Sequence, residues 1–247
     1  MDVHKLLIQS KDRISGNPSD FVIQVPPMNR VRDVNVVSAS VPNTIYNITA
    51  DNNTIYWYAG SDPLSATIAP GAYSITALTA ALVTAMIAAD PNEYSVSYNY
   101  TTMKISIECD VPILLTCSST NNAIWDVIGF LYIDRTPAVS HTADDVVSLD
   151  FPAYLMVGIS ELASARAVLT SDYRADFSIP LTVNSQYLKL YSHKASYDNE
   201  SEYSAGVTLS RFSICLRNAD GEAIDLNRGE WSMLLHIEYC RCKCLKK

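Results

Sequence analysis

Apolar and polar positions alternate with a period of two at both ends of this chain, and the rhythm breaks in the middle. Near the C-terminus Phe212, Ile214 and Leu216 alternate with Ser213, Cys215 and Arg217. Asn218-Ala219-Asp220-Gly221 then supplies turn residues: Asn and Asp tolerate left-handed backbone, and Gly221 has no Cβ to clash. Ile224 and Leu226 resume the alternation, and Trp231, Met233, Leu235, Ile237 and Tyr239 hold one face of a last strand. This pattern predicts antiparallel strands with one buried face. At the other end, Val3–Ser10 predicts a strand and residues 11–19 a polar loop. Phe21–Val25 predicts a strand stopped by Pro26-Pro27, because proline cannot donate to a ladder. Arg30–Val41 predicts a long, valine-rich strand.

The middle follows a different period. Ile55-Tyr56-Trp57-Tyr58 predicts a short strand. Ile75, Leu78, Leu82, Met86 and Ala89 recur at steps of three and four, the helical spacing, with Ser74 or Thr76 as the cap and Asp90-Pro91-Asn92 as the stop. Tyr94, Val96 and Tyr98, then Met103, Ile105 and Ile107, predict a hairpin, and Asn121–Ile128 a short helix ended by Gly129. Residues 54–133 therefore read as an inserted strand–helix–hairpin–helix module. Residues 134–150 read as a loop. Strands return at Tyr154–Ile159, Asp176–Leu181, Tyr187–Tyr191 and from Val207 on, with a polar, acidic loop over 193–204. About eight strands lie outside the module, the number of a jelly roll. The fold class expected is all-β: a single jelly-roll β-sandwich built from 1–53 and 134–240, an inserted small α/β module at 54–133, and a basic, cysteine-containing tail at 241–247.

Composition narrows the function. Hydrophobic residues make up 48% of the 247 and charged residues 18%, enough for a large core. The formal charge of −8 argues against coating nucleic acid, which needs clustered Lys and Arg; only the tail, with Arg241, Lys243, Lys246 and Lys247, is basic. The N-terminus lacks a signal-peptide pattern, and the longest apolar run, Ala77–Ala89, is too short for a bilayer, so an unexported chain with no membrane insertion is expected. Cys109, Cys117 and Cys215 lie in apolar segments and read as buried free thiols. Cys240, Cys242 and Cys244 form a C-x-C-x-C tail without the second distant pair that zinc sites use, and read as reduced thiols.

Catalytic motifs are missing. Gly158-Ile159-Ser160-Glu161-Leu162 lacks the second glycine of a nucleophile elbow, and the sequence holds no phosphate loop or H-E-x-x-H. His4, His141, His193 and His236 are isolated in sequence. Asp144-Asp145 and Asp198–Glu202 could offer oxygens to calcium but lack EF-hand spacing, and read as solvated loop carboxylates. No catalytic, cofactor or metal site is expected. The candidate interface is Tyr56, Trp57 and Tyr58, in a chain with 15 Tyr against 5 Phe and 3 Trp. Tyrosine suits surfaces that become buried against a partner, and alternation should expose at least one of the three.

Several segments in order resemble the penton proteins of large and mid-sized DNA viruses of eukaryotes and their virophage and transposon relatives. They are Ser19–Ile23, Val36–Ile48 and Asn53–Ile55, then Ile68–Tyr73 with the Leu78/Leu82 helix, Ile128-Gly129-Phe130, Leu216–Leu226 and Trp231. The resemblance implies a jelly-roll subunit without enzyme activity or cofactor. It would form homopentamers at the five-fold vertices of an icosahedral virion, after synthesis in the host cytoplasm. Its partners would be copies of itself, the major capsid protein and other minor capsid proteins. Two readings stand beside it: another minor capsid or cement protein of the same fold, and a receptor- or glycan-binding module in which sugars stack on Trp57. A cupin-type jelly-roll enzyme would need histidines converging in the barrel, which four scattered histidines do not suggest.

Overall fold

The computed structural model describes residues 2–42, 44–149, 151–162, 168–169, 174–181, 189–192 and 200–239. The chain divides into two compact units, residues 1–45 with 152–247, and residues 46–151. The fold class is the one the pattern predicts: all-β, a jelly-roll sandwich carrying an inserted module with helices.

The first unit is organised by two long strands. β1 (Asp2–Gln9) is followed by a 3-10 turn at Ser10–Asp12, then β2 (Ser15–Asn17) and β3 (Asp20–Val41). The strands after the insertion, taken with those inside it in chain order, are β9 (Tyr154–Ile159), β10 (Val168–Leu169), β11 (Arg174–Ala175), β12 (Phe177–Pro180), β13 (Lys189–Ser192), β14 (Glu200–Arg217) and β15 (Ser232–Tyr239). The order β1-β15-β3-β14-β9-β12 is antiparallel throughout, with β2 and β13 also paired to β3, and β10–β11 form a separate ribbon. β3 changes partners along its length. Phe21–Gln24 pair with Arg211–Ile214 of β14; Val31–Ser40 pair with β15, and across this second stretch the other neighbour is β14 at Val31–Asn35 and β13 at Ser38–Val41. Inward positions are sealed: Phe21, Val34, Val36, Val157, Phe212, Ile214, Met233, Leu235 and Ile237 are buried.

Pro26-Pro27 do not end the strand as expected. Between Gln24 and Met28, β3 advances four residues while β14 advances only from Arg211 to Leu209. The prolines sit in that bulge, where no ladder hydrogen bond is required of them. Arg30, at φ 59°, marks the next irregularity. Other expectations change for similar reasons. Glu200–Ser204 belong to β14 rather than to a loop, because Glu200–Glu202 find partners at Asp33–Asn35. Residues 193–199 lie outside the described ones. Ile224 and Leu226 are buried, yet only Ala223 bridges back, to Arg217, so the middle strand predicted there is a single bridge. The turn before it forms as read: Asn218 Oδ1 accepts from the N–H of Asp220 and Glu222, and Gly221 takes φ 85°. The closing strand is tied to the first by Trp231, whose N–H donates to Ser10 Oγ (2.8 Å) and whose indole N–H donates to Pro18 O (2.7 Å).

The second unit holds β4 (Thr54–Ala59), β5 (Asp62–Thr67), α1 (Ile75–Ala89), β6 (Tyr94–Asn99), β7 (Lys104–Leu115), α2 (Trp125–Ile128) and β8 (Ala138–Thr142). Its antiparallel sheet runs β5-β4-β7-β6, with β8 also on β7. Ser74 is the cap, its Oγ accepting from Ala77 N–H at 3.2 Å. Leu78, Leu82 and Met86 bury α1 among Ile55, Trp57, Ile105, Ile107 and Trp125. Each such side chain contributes roughly 1.5–3 kcal/mol, enough to fix a helix that alone would be marginal. The unit reaches past the expected 54–133 on both sides. The stretch read as a loop over 134–150 contains β8, which pairs Thr142 with Ser106 and Ala138 with Ile113. Ile48 likewise bridges Gly71.

Candidate functional site

The aromatic triplet of β4 is split by the pleat. Tyr56 and Tyr58 point to one face and Trp57 to the other. Trp57 is fully buried, which corrects the expectation that the three together form an interface and removes it as a sugar platform. Its indole N–H donates to the Tyr94 hydroxyl at 2.9 Å, with the rings edge-to-face at 5.7 Å, and Tyr94 passes its own hydrogen to Asp90. The polar edge of Trp57 is therefore satisfied inside the core. Burial, followed by the bond to Asp90, pushes the Tyr94 phenol well above its usual range. On the opposite face Tyr56 is half-buried and donates to Asn121 O at 2.7 Å. Tyr58 is exposed, beside Pro63 of β5 and Leu114 of β7.

His141 is buried, its Nε2 2.8 Å from Ile113 O. His4 is exposed on the edge strand β1, and His236 is half-buried across from Asn35. His193, Asp198 and Asn199 lie outside the described residues, as do Cys240, Cys242 and Cys244. Cys109 and Cys117 are free and buried, and Cys215 is half-buried. Burial pushes the Cys117 thiol up to about 11, with Arg135 opposing. Among the described residues no group of three or more His, Cys, Asp or Glu could hold a metal ion, and no helix is long and apolar enough to cross a membrane.

Asp144 is not the solvated loop carboxylate expected. It is half-buried, ion-paired with Arg135, and accepts from the N–H of Leu131 at 3.0 Å. Arg135 also lies over the Phe130 ring, 5.6 Å from its centroid. Its neighbour Asp145 is exposed. Two shallow grooves lie among the described residues. One, about 430 Å³, runs along α1 between Tyr73 and Ala88; the other, about 360 Å³, lies between Asn17–Asp20 and Arg228.

Residues 7–228 match DUF5901, a family of unknown function. The chain belongs to that family. No curated protein matches the sequence. Among solved structures, the crystal structure of the mavirus penton protein is similar, with a TM-score of 0.50 at 11% identity, covering 97% of this chain and 100% of that one. At that identity the likeness is one of fold, and it extends over both units of this DUF5901 member. The penton-like fold agrees with the resemblance read from the ordered segments.

Proposed function

We propose that this protein is a structural capsid subunit that assembles into homopentamers at the five-fold vertices of an icosahedral virion. There it would contact the surrounding major capsid protein and other minor capsid proteins, without enzyme activity or cofactor. The observation that carries the reading is the fold shared with a viral penton protein across nearly the whole of both chains. The side-chain chemistry is in keeping with it: the conspicuous polar groups cap, bridge and pin the fold. A sandwich subunit can close a ring through heterologous contacts, each copy offering two different faces, so no self-complementary patch is required.

Mass photometry of the purified chain, alone and mixed with its major capsid protein, tests this. A five-copy species is the expected result. A protein that stays monomeric at all concentrations and in the presence of capsomers is not a penton. The glycan-binding alternative is weakened by the burial of Trp57, since a sugar cannot stack on a ring with no exposed surface.

A further inference from the structure

Three consecutive large apolar side chains stand out from the second unit. Leu131 is 48% exposed, Tyr132 44% and Ile133 64%. They sit on a loop with many hydrogen bonds. Leu131 N–H donates to Asp144, Ile133 N–H to Leu131 O (2.7 Å), Arg135 N–H to Leu115 O (2.9 Å), and Tyr132 O–H to Asp126. Asp134 accepts from the N–H of Ser118 at 2.8 Å. The exposed Val146 and Met103 lie on segments that the backbone ties back toward this loop: Asp145 N–H donates to Gly129 O (2.9 Å), two residues before Leu131, and Val147 N–H to Met103 O (3.0 Å). The result is a preorganised apolar cluster, the arrangement in which binding loses least to ordering.

Charge says what can cover it. Residues 46–151 contain two basic residues, Lys104 and Arg135, against eleven acidic ones, a formal −9. The remaining sixteen basic and fifteen acidic residues give +1, and the two together make the −8 of the chain. Both cations of the acidic unit are engaged at Asp144, Arg135 with its carboxylate and Lys104 with its backbone carbonyl. The exposed Asp126, Asp134 and Asp145 around the apolar loop therefore keep their negative field. Such a rim repels nucleic acid, anionic lipid and the same unit of a second copy, and attracts a cationic face.

We propose that Leu131–Ile133, with Val146 and Met103, is a docking surface for a different protein, one whose complementary face has an apolar centre ringed by Lys and Arg. This does not depend on ring formation, which is read from oligomer mass. The test is selection of a random displayed peptide library on the intact chain, followed by binding of the selected peptides to wild type and to the Leu131→Ser/Ile133→Ser double variant. Both positions are exposed, so the variant should keep the wild-type thermal transition; Val146→Ser serves if it does not. Selected peptides should combine apolar and Lys/Arg residues, bind more weakly at high salt, and lose about tenfold or more in affinity for the variant. Acidic or neutral peptides, or binding the variant leaves unchanged, would overturn the proposal. So would self-association, or attachment to phosphatidylcholine–phosphatidylserine vesicles, that the double variant abolishes, since the occupant would then be a second copy or a lipid surface.

Discussion

Trp57 and Tyr58 are adjacent, yet they belong to different economies. Trp57→Ala empties a sealed site and leaves Tyr94 without its donor, and should cost about 3–5 kcal/mol in chemical denaturation. Tyr58→Ala removes an exposed ring and should stay within about 0.5 kcal/mol, with its effect, if any, on assembly. Equal costs would contradict the placement of the pair. The phenols give a second expectation. The bond to Asp126, then burial, pushes the Tyr132 phenol up to about 12, and burial with Asp90 raises Tyr94 further. Because these pKa values are raised on folding, the stability they add is complete below the unfolded phenol value near 10 and is lost as pH climbs past it. An ultraviolet phenolate titration should show Tyr94 and Tyr132 among the late-ionising tyrosines, with one late proton fewer in Tyr132→Phe. A late phase that Tyr132→Phe leaves unchanged would contradict the bond to Asp126.

Among the elements, the second unit depends on Gly129. It ends α2 at φ 80°, and a Cβ there would lie 2.3 Å from the Asp145 carbonyl oxygen. Gly60, at φ 68°, faces open space. Gly60→Ala should therefore cost only the left-handed penalty of about 1–2 kcal/mol, and Gly129→Ala clearly more, by thermal or urea unfolding. The boundaries of the unit can be tested the same way. A fragment of residues 46–151 should fold alone, whereas 54–133 lacks β8 and leaves an edge of β7 bare. Equal folding of both would show β8 to be dispensable. These cases mark what the sequence made legible. α1, its Ser74 cap, the β6–β7 hairpin and the closing strand follow local periodicity and turn chemistry. β8 was hidden because Ala138–Thr142 alternate weakly and depend on β7 for a partner. β3 looked broken at Pro26-Pro27 because the bulge that admits prolines is set by β14, distant in sequence. The aromatic triplet was located but not resolved: which side of β4 is core depends on α1, not on β4. The loop at 131–133 carried a signal, three apolar residues in a row outside any periodic segment.

For the whole molecule, charge and fold divide along the same line. The acidic excess belongs to residues 46–151, and the sandwich is near neutral. Copies that meet through the sandwich avoid most of the mutual repulsion of the chain, so assembly should tolerate low salt better than the −8 suggests. Replacing 46–151 with a short linker should leave a folded sandwich that still associates; a remainder that folds but stays monomeric would assign the contacts to the inserted unit. The central claim, that this penton-like fold closes rings of five, is met most directly by native mass spectrometry of the purified full-length chain. A dominant assembly of five subunits is the expected spectrum, and a spectrum of monomers or of two-fold dimers alone would contradict it.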